Sequence, residues 1–156
     1  MHKKRLPDTS SFKRIRENGF LYIDKTPWIY KMITEGSFYF LARPRRFGKS
    51  LTVSTLKELF SGNKKLFEGL YIYDKWHFEK HPVILFDFNG IRSKTPDVLE
   101  EELKKELSKI AEEYGVPLED ENPERKFRLL IEKLYKKFKK GIVVLVDEYD
   151  KPITEH

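Results

Sequence analysis

Apolar residues along the chain form two kinds of pattern: short continuous runs, and longer stretches in which they recur every three or four residues. The continuous runs predict buried strands, because a strand covered on both faces carries apolar side chains on each side. The runs of this kind are Phe38–Ala42, Val83–Phe88 and Ile142–Val146. A further run, Phe20–Ile23, is interpreted as an extra edge strand within an N-terminal extension over residues 1–24.

The periodic stretches predict helices, several of which open on a capping side chain followed by a proline suited to the first turn. These openings are Thr26-Pro27, Thr95-Pro96 and Asn122-Pro123. In the first of these helices an apolar stripe is expected from Trp28, Ile29, Met32 and Ile33. Gly36 is predicted to stop that helix, and Gly141 to follow the last helix as its C′ residue.

Strands that alternate with helices predict an α/β fold with a mostly parallel sheet flanked by helices. The chain shows no internal repeat, low-complexity segment or linker, so the pattern predicts one domain over residues 1–156. A chain of this length can bury a sizeable core.

A basic loop lies between the first predicted strand and a predicted helix over Lys49–Phe60. Residues 43–50 read R-P-R-R-F-G-K-S, which has the length and ending of the phosphate-binding loop G-x-x-x-x-G-K-[ST]. Gly48 allows the backbone to approach phosphates, and Lys49 is placed to reach the β- and γ-phosphates. Ser50 can offer its hydroxyl to Mg²⁺.

Arginine replaces the first glycine of the usual loop. Pro44 favours an extended backbone at Arg43, so the loop closes only if its entry does not require positive φ. The arginines of the loop have two interpretations. They are cations that contact phosphates or an acidic partner, or they project into solvent. The residues predicted to contact the nucleotide are Arg45, Arg46, Phe47, Gly48, Lys49, Ser50 and Leu51.

The last apolar run ends in two acids, Asp147 and Glu148. Asp147 is expected to hold magnesium together with Ser50, and Glu148 to act as general base on an attacking water. Lys49 and Glu148 are therefore the predicted catalytic residues. Asp87 ends an earlier strand and should lie at the same sheet edge, where it is interpreted as a strand-end acid rather than a catalyst. Together, the loop and the acid pair predict a site for a nucleoside triphosphate.

Composition narrows the class of protein. The chain has no cysteine, which excludes disulfides and thiolate metal sites. No apolar run approaches the length of a membrane span, and the N-terminus lacks the core of a signal peptide, so a cytoplasmic location is expected. Many Lys and Glu residues without cysteine indicate a heat-adapted source.

The formal net charge is +6, and many of the positive charges lie near the end of the last predicted helix. Such a cluster is more typical of a solvated face than of a DNA-binding surface. A nucleic-acid-binding module nevertheless remains open as an alternative. The lysines concerned are Lys133, Lys136, Lys137, Lys139 and Lys140.

The loop and its flanks, Leu41–Leu51, resemble the corresponding segment of the AAA-ATPase-like proteins of archaea and bacteria, in which R-P-R-R-F-G-K-S replaces the ordinary loop. Tyr22–Thr26, Leu66–Leu70 and Val144–Ile153 resemble further stretches of that family. The resemblance covers nearly the whole chain. It implies a P-loop NTPase-like fold, truncated after the acid-ended (Walker B) strand, that binds ATP and Mg²⁺ and hydrolyses ATP.

Members of that family are longer and often end in a nuclease-like domain of the PD-(D/E)XK type. This chain stops eight residues after Glu148, so the sensor strand, the arginine finger and the nuclease region have no counterpart in it. We expect either the N-terminal part of a longer ATPase or an unusually short chain. The resemblance implies that such a module powers or gates a partner domain, through which it would meet nucleic acid.

In such folds the sensor strand lies between the loop strand and the acid strand. Its absence predicts self-association or strand exchange between copies, because unpaired strand edges invite both. Two other functions stay open: an inactive nucleic-acid-binding or protein-interaction module, and a small-molecule kinase. The kinase ranks last because an Asp-Glu pair favours activation of water.

Overall fold

The computed structural model describes residue 7 and residues 9–36, 49–88, 95–119 and 121–147, and for Lys49 and Ser50 only the backbone. The helices are α1 (Phe12–Glu17), α2 (Thr26–Glu35), α3 (Lys49–Phe60), α4 (Pro96–Glu113) and α5 (Pro123–Phe138). Short 3-10 helices cover Lys64–Phe67 and Tyr71–Asp74. The strands are β1 (Val83–Asp87) and β2 (Val143–Asp147). The predicted strand Phe38–Ala42 lies outside the described residues.

The described residues up to Lys80 form one compact unit, and those from His81 onward form a second. The first unit holds α1 to α3 and both 3-10 helices, and the second holds α4, α5 and both strands. The expectation of one domain over residues 1–156 stays a prediction.

Aromatic rings fill the core of the first unit. The ring of Phe67 lies 4.7 Å from that of Phe12 and 5.3 Å from that of Phe78, measured between centroids. Ile15 of α1 and Leu59 of α3 are fully buried in the same unit. Burial of these large side chains is the main force that holds the short helices together, since helices of this length are marginal alone.

Helix α1 was not predicted, and the prediction of a strand at Phe20–Ile23 is wrong. Residues 20–25 lie in no helix or strand, whereas α1 begins after Ser11, whose hydroxyl accepts a hydrogen bond from the Arg14 N–H. Serine is among the preferred N-cap residues, so a start signal for α1 was present in the sequence. Six residues are too short for a clear helical period.

Helix α2 has its predicted bounds, but two details of the prediction are wrong. Its N-cap is Lys25, which makes no side-chain capping bond, while the Thr26 hydroxyl bonds elsewhere. Ile29 is buried as expected, but Trp28 is 71% exposed and does not belong to the apolar stripe. Gly36 is the C-cap, as predicted.

The second unit contains a two-stranded parallel sheet in which Val83 pairs with Val143 and Asp87 with Asp147. The predicted parallel pairing is thus confirmed for the described strands. On one face of β1, Ile84 and Phe86 are buried against the two helices of this unit. The apolar cluster there comprises Ile84, Phe86, Leu107, Ile110, Ala111, Val116, Leu130 and Leu134.

Both helices of the second unit begin as predicted. The Thr95 hydroxyl accepts from the Val98 N–H at the start of α4, and the Asn122 side chain accepts from the Arg125 N–H at the start of α5. Tyr114, at the end of α4, uses its hydroxyl to accept from the Val83 N–H at 2.8 Å. This bond ties the end of α4 to the first residue of β1.

The end of α5 differs from the prediction. Lys139 is the C-cap and takes the left-handed conformation with φ 58°, whereas Gly141 was expected to follow the helix as its C′ residue. The Lys139 N–H still donates to the Tyr135 carbonyl, so the last turn is closed without glycine. None of the helices in the described ranges has the length and hydropathy needed to cross a bilayer.

Candidate functional site

Helix α3 begins at Lys49, the residue that directly follows Gly48. This is the position at which the helix after a phosphate-binding loop has to start, because its first N–H groups then point toward the loop. The helix is twelve residues long, and its N-terminal end carries the positive pole of the backbone dipole. The predicted helix over Lys49–Phe60 is therefore confirmed, whereas the strand and the loop predicted before it lie outside the described residues.

Buried side chains and hydrogen bonds fix α3 within the first unit. Val53, Leu56 and Leu59 are buried on one side of the helix. The Ser54 hydroxyl accepts a hydrogen bond of 2.9 Å from the Phe12 N–H, which is one of the donors left free at the start of α1. Helix α3 is thus attached to α1 by polar as well as apolar contacts.

One arginine of α1 binds the backbone at the end of the first 3-10 helix. The Arg16 Nε donates to the Leu66 carbonyl at 2.8 Å, and its Nη2 donates to the Glu68 carbonyl at 2.5 Å. Because the guanidinium is planar and rigid, two bonds from it fix the orientation of this backbone as well as its distance from α1. The stretch Leu66–Leu70, which resembles a family segment, therefore has a structural role, because two of its carbonyls bind the arginine of α1.

The stretch Tyr22–Thr26 is also held by a local polar network. The Asp24 Oδ1 accepts from the Thr26 N–H at 2.8 Å and from the Thr26 hydroxyl at 2.6 Å, and its Oδ2 accepts from the Tyr71 N–H at 2.8 Å. The buried Thr26 hydroxyl in turn accepts from the Ile72 N–H. Asp24 and Thr26 thus join the start of α2 to the second 3-10 helix. This structural role explains the presence of both residues, and no bound ligand is needed to explain it.

Tyr22 lies against α3 in the same network. Burial raises the pKa of its phenol, and the negative charge of Asp24 adds to that rise. The Lys25 N–H, Thr55 and the cation of Arg16 act in the opposite direction but do not cancel the effect of burial on the pKa.

We expect Tyr22 to make the first unit sensitive to alkaline pH. The folded state holds the phenolic proton of Tyr22 more tightly than the unfolded state. The contribution of this group to the free energy of unfolding is therefore fully present below about pH 10 and is lost as the pH rises through the raised pKa. Chemical denaturation followed between about pH 8 and pH 11 should show a smaller loss for Tyr22→Phe than for the wild type. Tyr71→Phe, at an exposed tyrosine, is the control; equal losses in all three proteins would contradict the prediction.

The acid-ended strand forms the other candidate part of the site. Asp147 is the last residue of β2 and is only 8% exposed, and its carbonyl accepts from the Phe88 N–H at 2.8 Å. Asp87, the last residue of β1, is directly opposite Asp147 in the ladder and is exposed. The expectation that both aspartates lie at one sheet edge is confirmed.

The structure places some of the predicted site residues and not others. Lys49, Ser50 and Leu51 form the first turn of α3 in the first unit, and Asp147 ends β2 in the second unit. Predictions that fall outside the described residues concern Arg45, Arg46, Phe47, Gly48 and Glu148.

Two lysines of the basic cluster on α5 have an intramolecular role. Lys133 donates to the Pro117 carbonyl, and Lys137 donates to the Tyr114 carbonyl. Both acceptors lie at or just after the end of α4, where carbonyls lack partners within the helix and attract cations. These contacts explain part of the positive charge without nucleic acid and weaken the alternative of a nucleic-acid-binding module.

Comparison with known proteins gives a family but no solved relative. No solved structure matches this chain. A curated relative, "Uncharacterized protein in vnfD 5'region" from Azotobacter chroococcum mcd 1, is 39% identical over 159 residues. The alignment covers 100% of this chain and 31% of that relative.

The family model described as "Predicted AAA-ATPase" matches residues 8–156 and so includes the loop, α3 and the acid-ended strand. The match extends over nearly the whole sequence, in agreement with the resemblance of the loop. This chain belongs to the AAA-ATPase-like family.

Proposed function

We propose that this chain is the ATP-binding module of a magnesium-dependent ATPase that powers or gates a partner domain. Family membership indicates nucleotide binding. The structural observation that carries the proposal is the start of α3 at Lys49, immediately after the glycine of the loop. A helix N-terminus preceded by such a loop offers N–H donors and a positive potential to phosphates.

In this proposal each predicted residue keeps a separate role. Gly48 leaves room for the phosphates, Lys49 contacts the β- and γ-phosphates, and the backbone at Phe47 and Leu51 completes the cradle. The guanidinium groups of Arg45 and Arg46 add positive charge near the phosphates.

The donor set also fits magnesium. Mg²⁺ prefers oxygen ligands and usually binds through one or two carboxylates together with phosphates and water. A largely buried strand-end carboxylate, Asp147, and the hydroxyl of Ser50 would hold it. When bound, the ion would neutralise part of the negative charge of the phosphates. Glu148 would accept the proton of the attacking water as general base.

The proposal is tested by calorimetric titration of ATP and GTP into the chain, with and without Mg²⁺, followed by a phosphate-release assay with water as the only acceptor. An ATPase module should bind ATP in a magnesium-dependent manner and release phosphate. Glu148→Gln should retain binding and lose release. Absence of nucleotide binding under all conditions would reject the function.

The partner domain belongs to the same proposal. The chain spans 31% of the length of its curated relative, so that relative contains long regions with no counterpart in this chain. A nuclease-like domain, which the resemblance of the loop implies, is the candidate partner. That domain, rather than this chain, would then bind nucleic acid.

We further propose that the chain self-associates through β2. Val144 and Val146 of this strand are 42% and 47% exposed, and within the described residues β2 pairs only with β1. Exposed apolar strand residues favour pairing with another copy. Sedimentation over a range of concentrations should show a dimer or larger species that Val146→Lys weakens. A single monomeric species at high concentration would contradict this proposal.

A further inference from the structure

We propose that His77, Glu79 and His81 form a binding site for a divalent transition-metal ion, with Zn²⁺ as the best match. The three residues alternate along five consecutive positions shortly before β1. One ligand atom from each side chain lies within 4.8 Å of the other two. This site uses none of the residues assigned to the nucleotide, so it does not depend on the proposed ATPase function.

The backbone around Phe78 explains why the first two side chains lie together at the surface. Residues 77–82 lie in no helix or strand. Phe78 is buried, its ring lies 5.3 Å from that of Phe67, and its φ of 50° is uncommon for a bulky residue. The core thus anchors Phe78, while His77 and Glu79 on either side of it are exposed.

A hydrogen bond of His81 selects the tautomer that binds metals. The His81 Nδ1 lies 3.0 Å from the carbonyl oxygen of Gly141. Because a carbonyl oxygen only accepts, Nδ1 carries the proton and the lone pair is on Nε2. Histidine ligands of metal sites usually donate their other ring N–H to a carbonyl or carboxylate, which fixes the orientation of the ring. This bond is independent of the clustering and supports a metal ligand at His81.

His77 has to give up one hydrogen bond to bind the ion. Its Nδ1 accepts a bond of 3.0 Å from the Glu79 N–H. An imidazole that ligates through one nitrogen carries its proton on the other. Ligation through Nδ1 therefore replaces this bond, and ligation through Nε2 breaks it by moving the proton to Nδ1. The loss of one neutral hydrogen bond is small compared with the gain from a metal–nitrogen bond.

The donor set favours Zn²⁺ over Mg²⁺ or Ca²⁺, since imidazole nitrogen suits transition metals while the other two ions prefer oxygen. Two imidazoles and one carboxylate are a ligand set of zinc sites that keep a fourth position for water. Zinc–ligand bonds of about 2.0–2.2 Å place the ligand atoms of a tetrahedral site roughly 3.3–3.6 Å apart. Small rotations of the exposed His77 and Glu79 side chains would bring the cluster to these separations.

Calorimetric titration of Zn²⁺ into the untagged chain tests the site, in buffer without nucleotide because phosphates compete for the ion. The wild type should bind one Zn²⁺ per chain. His77→Ala and Glu79→Gln should each weaken binding at least about tenfold, and both positions are exposed, so the fold should tolerate the changes. His81→Ala should have the same effect. The chain has no cysteine, so thiolates do not contribute to the binding measured.

Two matched controls lie outside the cluster. His156→Ala removes a histidine near the C-terminus, and Glu68→Gln neutralises an exposed acid of the first unit. Both variants should keep the wild-type affinity for Zn²⁺.

Trp76 reports where the metal binds. Its ring lies 4.1 Å from that of His77, measured between centroids. The chain has two tryptophans, so Trp28→Phe leaves Trp76 as the single one. In this background Co²⁺ should quench the tryptophan fluorescence, and the further change His77→Ala should shift the quenching to at least about tenfold higher Co²⁺.

The outcomes separate a metal site from a cluster held by its own hydrogen bonds and charges. One Zn²⁺ per chain, weakened in the three ligand variants and retained in both controls, together with quenching of Trp76, supports the site. No binding of Zn²⁺ by the wild type, or equal losses in ligand variants and controls, would refute it. Binding of Co²⁺ without quenching of Trp76 would place the ion elsewhere and would overturn the assignment as well.

Discussion

Replacement of Lys49 by alanine is expected to weaken ATP binding by roughly 10- to 100-fold. A hydrogen bond to a charged group contributes about 1.5–3 kcal/mol, and each 1.4 kcal/mol corresponds to about a factor of ten in affinity. Lys49 is the first residue of α3, and in the proposed function it is the cation that reaches the terminal phosphates. Calorimetric titration of ATP in the presence of Mg²⁺ measures the effect directly.

The matched control lies on the same helix. Lys57 is an exposed lysine in the last turn of α3, about 12 Å along the helix axis from Lys49. Lys57→Ala removes the same charge and should leave the affinity for ATP unchanged. Equal affinity of Lys49→Ala and Lys57→Ala for ATP would refute the assignment of the loop.

The largest effect on stability is expected for Phe67→Ala. Phe67 is fully buried and packs against the rings of Phe12 and Phe78, so truncation removes apolar contacts and leaves a cavity. Replacement of a buried phenylalanine by alanine costs about 3–5 kcal/mol. Chemical denaturation followed by circular dichroism should show this loss in the free energy of unfolding.

Trp28→Ala is the control for that measurement. Trp28 is an even larger aromatic residue of the same unit but is 71% exposed, so its truncation should change stability by less than about 0.5 kcal/mol. A loss at Trp28 as large as that at Phe67 would mean that the exposed tryptophan is covered by another part of the protein. The comparison therefore tests burial rather than residue size.

The helices were largely predictable because their start signals are local. Thr95 and Asn122 cap α4 and α5 with their own side chains, and each is followed by a proline that suits the first turn. Such a signal depends only on a few neighbouring residues. The bounds of α3 followed in the same way from the loop before it and the Ser61-Gly62 turn after it.

Two of the errors, both in α2, depend on tertiary contacts. The Thr26 hydroxyl was expected to cap α2, but it bonds to Asp24 and to the Ile72 N–H, which is far away in the sequence. Trp28 fits the helical period of its apolar neighbours yet is exposed, because its position on the helix is not covered within the described part of the chain. Periodicity shows which residues share a face but not which part of that face is buried.

The sequence by itself determined the family, the order of the loop, helix and acid-ended strand, and the residue types able to bind a nucleotide and magnesium, since these depend on short motifs. Only the tertiary structure decided that Asp87 and Asp147 are partners in one register and that Lys133 and Lys137 serve the end of α4. Those pairings join residues from different elements. Their formation depends on how helices and strands pack, which local sequence patterns do not specify.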